Sequence, residues 1–373
     1  MVSILITAQT LTPLGSILSY LLDTNPDFEP LWWILLASLT IILLIPGGNY
    51  FWKANTAVGA VSLAILCIYV LGSIPYMDFG KNVLEEARTY GDYSGHRGMN
   101  SFLSIIPLAT WPFLGVESLP LACGEAKTPA QSIPKAIIYC ILTLVALSQI
   151  LLFVATSQPP GLVDVSRADF PLNAGFNRMF GISSKSSIWL SVPGIYISAA
   201  TAMWGYGRQI AAMSQSRFFP KILGKLYGSN QTPYMAILTG SGIAYVMSVI
   251  SKYGAAQFSN FLIDLISIFA YTTDIWLCLS FIIFRVKFSS LKRKYRSPLG
   301  YFGAFSGVFI FAMAIFSMVY HGGTAGLVLP MYIGTLICLS FYYYKYARHT
   351  QYFSEVEKKI LMVAYVMKGK AKN

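Results

Sequence analysis

Apolar residues run in long blocks along this chain, at about 2–22, 31–47, 51–75, 100–122, 134–156, 187–213, 232–251, 258–285, 299–320 and 323–347. Each block is long enough, or nearly so, for a helix that crosses the roughly 30 Å hydrocarbon layer of a bilayer in about 20 residues. Breakers separate them: DTNPDFEP at 23–30, PGGN at 46–49, TPAQSIP at 128–134, SQPPG at 157–161, GSNQTP at 228–233 and HGG at 321–323. The pattern predicts an all-α integral membrane protein of about ten transmembrane helices. Residues 1–347 form one polytopic domain, and 348–373 form a basic tail.

Composition supports that reading. Of 373 residues, 55% are apolar and 11% charged, and the mean hydropathy is +0.58. A soluble surface of this size would need about twice that charged share. Lys and Arg outnumber Asp and Glu by 27 to 15. They occupy the gaps between apolar blocks, not a folded polar face with interleaved aromatics, so the net charge of +12 does not indicate nucleic acid. Five cysteines without CxxC spacing and three scattered histidines provide no metal framework and no nucleophile–base pair, which argues against an enzyme.

Charge also sorts the gaps into two sides. Assigning alternate gaps to one side collects 20 of the 27 Lys and Arg there, against 7 on the other. By the positive-inside rule both termini are expected in the cytoplasm. The densest basic run, Arg285 to Arg296, reads first as the stop after the eighth block, with an anionic-lipid site as the other reading. Trp32, Trp33, Trp52 and Tyr342 to Tyr344, near block ends, read as interfacial belts.

Ionisable groups inside apolar blocks are the candidates for chemistry. Three acids qualify: Glu117, Asp264 and Asp274. Glu117 stands in TWPFLGVESLPLACGE at 110–125, where Pro112, Gly115 and Pro120 interrupt a regular helix. Broken backbone at membrane depth exposes N–H and C=O groups that protein or water must satisfy, the condition of a substrate cavity. The alternative is a glycine serving close helix contact and an acid tied to a neighbour such as Ser118. Asp264 and Asp274, ten residues apart, share a helix side to within about 80°.

Three stretches resemble the amino acid–polyamine–organocation (APC) permease superfamily. FLGVESLPLACGEAKTPAQSIPKAI at 113–137 is similar to its sixth helix and following loop, YGRQIAAMSQSRFFPKILGKLYGSNQTPYMAI at 206–237 to its eighth-to-ninth helix loop, and FLIDLISIFAYTTDIWLCLSFIIFR at 261–285 to its tenth helix. Thr128 stands where the family usually has Asn, and Ser216 to Phe219 replace an acid-glycine turn.

The resemblance implies a LeuT-type inverted-repeat bundle, with residue 1 at the start of the family's third helix and its first two helices outside this sequence. It implies a secondary transporter of amino acids or organic amines working by alternating access, without a bound cofactor and with H+ or Na+ as the coupling ion. It also implies a plasma-membrane address. Trp111 would stack on substrate with Phe113 nearby, while Gly115, Val116 and Ser118 would offer backbone groups to the amine. Glu117 and Asp264 would serve proton coupling or gating, and Arg208 and Lys221 would anchor the inner gate or its loops. The competing expectation is a truncated bundle that binds a partner or lipid without transporting. A channel is disfavoured because no filter-like repeat is present. Oligomeric state is not addressed by these residues.

Overall fold

The computed structural model describes residues 1–89, 98–228, 230–254, 257–289, 293, 295–321, 325–353, 358–359, 362–363 and 365–366, with the backbone alone at 48, 49 and 325. His96, Asp92, Arg97, Lys292, Lys294 and most of the 348–373 tail lie outside the described residues.

Among the described residues ten long helices follow one another: α1 (Val2–Leu21), α2 (Glu29–Leu44), α3 (Gly48–Ser73), α4 (Gly98–Thr110), α5 (Pro129–Ser157), α6 (Val192–Gln215), α7 (Tyr234–Tyr253), α8 (Phe258–Lys287), α9 (Gly300–His321) and α10 (Ala325–Tyr342). Their bounds follow the apolar blocks because proline and glycine cluster where the blocks end. Asn25, for instance, turns its Oδ1 onto the Asp27 N–H at 3.0 Å beside Pro26, closing the turn ahead of α2.

Among the described residues, nine helical segments are long and apolar enough to cross a bilayer. The tenth helix, α6, falls short by composition since it carries Arg208, Gln209 and Gln215. Burial explains how it is accommodated. Ala199, Ala200, Met203, Trp204, Tyr206 and Ala211 are all buried, so α6 faces neighbouring helices and requires less lipid-compatible surface than the outer helices.

α1 is the axis of the bundle. It packs most extensively on α6 and then on α7, α2 and α8. Ile4 and Ala8 enter one apolar cluster with Met203, Trp204 and Ile237, Leu5 a second with α8, and Leu11, Leu14 and Leu18 a third with Trp33 and Leu36. An apolar surface all round is what a helix enclosed on several sides requires.

The third cluster corrects one expectation. Trp33 is not interfacial but completely buried, edge-on to Tyr245 at 6.2 Å. A Cβ added at Gly15 would stand 2.2 Å from its indole nitrogen, so glycine is required there by space. Gly15→Ala is expected to destabilise the bundle by about 1–3 kcal/mol through overpacking. Gly59→Ala, where a Cβ meets nothing within 4 Å, should leave thermal unfolding in detergent unchanged.

The two sets of gaps assigned by charge meet as two physical ends. At the basic end, Thr232 Oγ1 reaches the Ile45 carbonyl at 3.2 Å, and the Tyr342 hydroxyl donates to the Phe218 carbonyl at 2.8 Å. At the acidic end Lys185 pairs with Asp23 at 2.6 Å and Lys252 with Glu29 at 3.0 Å. The acidic end also carries three short helices, Leu162–Arg167, Asn173–Phe180 and Ser184–Ile188, between α5 and α6.

Candidate functional site

α4 stops at Thr110, and the chain then leaves helical geometry in three steps. Trp111–Phe113 tighten into a 3-10 turn, Leu114 extends to φ −65 and ψ 136, and Gly115 enters the left-handed region at φ +97. A second 3-10 stretch, Val116–Gly124, carries the chain onward. The prolines account for the tightening, since Pro112 and Pro120 cannot donate to the preceding turn. Only glycine adopts the Gly115 conformation without a Cβ clash.

The carboxylate at this break turns back on it. Glu117 Oε2 accepts the Gly115 N–H at 2.8 Å, and the Ser118 N–H donates to the Gly115 carbonyl at 3.0 Å. The partner of Glu117 is therefore the broken backbone and not the Ser118 hydroxyl. Ser118 instead faces α1 and α6: a Cβ at Gly205 would lie 3.8 Å from its Oγ and 3.9 Å from that of Ser3. At Gly115 itself a Cβ would meet nothing within 4 Å, leaving open space beside the break.

The end of α4 is anchored by a residue that sequence reasoning missed. Tyr271 of α8, completely buried, donates to the Pro107 carbonyl at 3.0 Å and shares a hydrogen with the Thr110 hydroxyl at 2.5 Å. It satisfies carbonyl oxygen that broken helix geometry exposes. The available signal was a tyrosine in the middle of an apolar block, a polar handle with no interface nearby.

A cavity of about 510 Å3 opens toward the acidic end between α4, α8 and α9. Trp111 and Asp264 both line it, with Asn260, Ser267 and His321 adding polar groups. The structure therefore brings Trp111 and Asp264 together. Phe113, Gly115, Val116, Glu117 and Ser118 are not among its lining residues and lie along the break beyond Trp111. Asp274, about three turns along α8 from Asp264, is within electrostatic reach of Glu117.

The basic end is closed by a second cluster. Arg208 Nη2 of α6 pairs with Glu125 Oε1 at 2.5 Å, and the same oxygen accepts from Trp204 Nε1 at 3.4 Å. Trp52 Nε1 donates to the other carboxylate oxygen, and the two indoles pack edge-on at 5.2 Å. One carboxylate thus joins α3, α6 and the segment following the break. Trp52 is consequently part of a closure and not a belt residue. Lys221, exposed, begins a short 3-10 turn and makes no ion pair among the described residues. Among the described residues no group of three or more His, Cys, Asp or Glu could hold a metal ion.

The sequence is similar to known proteins. The family model for amino acid permeases matches residues 1–358. The lysine-specific permease LysP of Lactococcus lactis subsp. cremoris is 26% identical over 262 residues, 63% of this chain and 49% of that protein. The histidine permease HisP of the same organism is 24% identical over 276 residues, 68% of this chain and 56% of that one. The gamma-aminobutyric acid permease of Escherichia coli is 27% identical over 260 residues, 63% and 52% of the two chains. The chain spans about half the length of the curated relatives it matches. All three are named as permeases and none as an enzyme. With its succession of apolar helices and a family match over nearly its whole length, this multi-pass integral membrane protein belongs to the amino acid permease family.

Proposed function

We propose that this bundle moves amino acids or related organic amines across a membrane by alternating access, driven by H+ or Na+. The observation that carries the reading is the left-handed break at Gly115, with Glu117 folded onto it and open space at its side. Free backbone groups at such a break, together with a carboxylate, suit a zwitterion: carbonyls and carboxylate face the ammonium, and N–H groups face the substrate carboxylate. Trp111 at the cavity wall offers an aromatic face over the ammonium.

The two ends differ in a way that supports alternating access. The cavity lies toward the acidic end, while the Glu125, Arg208, Trp52 and Trp204 cluster closes the basic end. Placing the basic end in the cytoplasm, with both termini, makes this the outward-facing arrangement of a plasma-membrane carrier. Transport requires the opposite arrangement as well, in which the Glu125–Arg208 pair opens and the space around Trp111 and Asp264 closes.

The test is uptake of labelled amino acids, including lysine, histidine and gamma-aminobutyrate, by proteoliposomes holding the purified chain under an imposed pH or Na+ gradient. Gradient-dependent accumulation is expected, and Glu117→Gln should abolish the gradient dependence while leaving the protein folded. Folded protein that accumulates nothing across the panel under either gradient would favour the non-transporting bundle.

A further inference from the structure

We propose that the basic end of α8 and the start of α9 form a phosphate-binding site, built by Arg285, Ser289, Arg293, Arg296 and Tyr301 around a cavity of about 180 Å3. This site lies outside the substrate path described above.

The residues are arranged as a site and not as a diffuse run of charge. Arg285 lies between two rings, its guanidinium carbon 5.6 Å from the Phe281 centroid and 5.2 Å from that of Tyr301. Such stacking holds the planar fork in one orientation. Gly300, with φ +52, lets the chain pass beside it: a Cβ there would stand 3.1 Å from Arg285 Nη1. Arg293 turns back onto the end of α8, donating to the Phe288 carbonyl at 3.0 Å and the Phe284 carbonyl at 3.3 Å. Its Nε is buried and has no hydrogen-bond partner among the described residues. A buried donor of this kind is costly unless a ligand completes it.

Charge balance points the same way. From Arg285 to Tyr301 the sequence has six basic residues and no acid. Among the described residues, none of Arg285, Arg293 and Arg296 pairs with a carboxylate. Three arginines facing one cavity that has room for a small anion suit a tetrahedral phosphate oxyanion, which planar guanidinium groups bind through paired N–H donors. The hydroxyl of Ser289 and the phenol of Tyr301 add neutral donors. Two sources share this chemistry: the phosphate of an anionic phospholipid, which the position at a helix end in the membrane boundary favours, and free inorganic phosphate.

Native mass spectrometry of the purified full chain in detergent distinguishes them. It would be titrated with phosphatidylglycerol, with phosphatidylcholine and with inorganic phosphate. Phosphatidylglycerol should be retained in preference to phosphatidylcholine, and Arg296→Gln should weaken it about fivefold, with Arg285→Gln/Arg296→Gln lower by roughly twentyfold. Among the described residues Arg296 makes no hydrogen bond, ion pair or ring contact, so the single variant tests the site even if the double variant does not fold. Lys287→Gln, in the same basic run but outside the cavity, should bind as the parent does. If inorganic phosphate binds with the same dependence on Arg296 and displaces the lipid, the ligand is the free anion. Equal retention by parent and Arg296→Gln, or an equal loss with Lys287→Gln, would overturn the proposal.

Discussion

Replacing Gly115 with alanine is expected to leave the bundle assembled and to lower gradient-driven uptake roughly tenfold or more. No neighbour stands in the way of a Cβ at this position, so the effect cannot come from crowding. It comes from the backbone. At φ +97 an L-residue costs about 1–2 kcal/mol, and the chain relieves the strain by drawing Leu114 and Gly115 back toward ordinary helical or extended geometry. That movement removes the Gly115 N–H from the Glu117 carboxylate and rotates the free backbone groups away from the open space. A site whose donors must be aligned loses more than its strain energy when they turn. Uptake by Gly115→Ala proteoliposomes, set against detergent melting curves, separates the two effects. A small shift in melting with a large loss of uptake is expected, whereas unchanged uptake would show that the break takes no part in transport.

The second large effect is expected at the closure of the basic end. Arg208→Ala removes the charge paired with Glu125 at 2.5 Å, in a place where both side chains are mostly shielded from solvent. The remaining carboxylate keeps two indole donors but loses its counter-charge, and the expected destabilisation is about 2–3 kcal/mol. Glu125→Ala/Arg208→Ala should be less damaging than Arg208→Ala alone, because no unpaired charge is left behind. Unfolding curves of the parent, both single variants and the double variant form the cycle that measures this coupling. Additive losses would mean that the pair holds nothing together. In transport, the same variants should release the closure and favour the arrangement open to the basic end.

The helices and the break were legible from sequence for a simple reason. Apolar blocks of membrane length and their proline or glycine boundaries are local signals, and Pro112, Gly115 and Pro120 fall within 9 consecutive residues. The left-handed conformation of Gly115 is a finding of the structure, where the sequence shows only an interruption of the helix. What lay beyond reach was decided by partners distant in the chain. Tyr271 meets Pro107 across 164 residues, and Glu125 meets Arg208 across 83. No periodicity announces such pairs. Trp33 and Trp52 were read as belt residues because they sit near block ends, yet one is enclosed by α1 and α7 and the other packs on Trp204. Position along a block reports depth in the membrane but not whether a face meets lipid or protein. α6 shows the converse: weak as an apolar block, it still buries Ala199, Ala200, Met203, Trp204, Tyr206 and Ala211 against neighbouring helices.

The claim on which the rest depends is that the chain is unwound and solvated around Gly115 within the membrane. Cysteine scanning from Thr110 to Pro120, in a chain whose five native cysteines are replaced, tests it most directly when proteoliposomes are exposed to a membrane-impermeant thiol reagent. The account predicts labelling that rises at consecutive positions from Leu114 to Ser118 and is slowed by substrate. Protection throughout, or labelling with an unbroken 3.6-residue period from Thr110 to Pro120 as on one face of an intact α-helix, would contradict it.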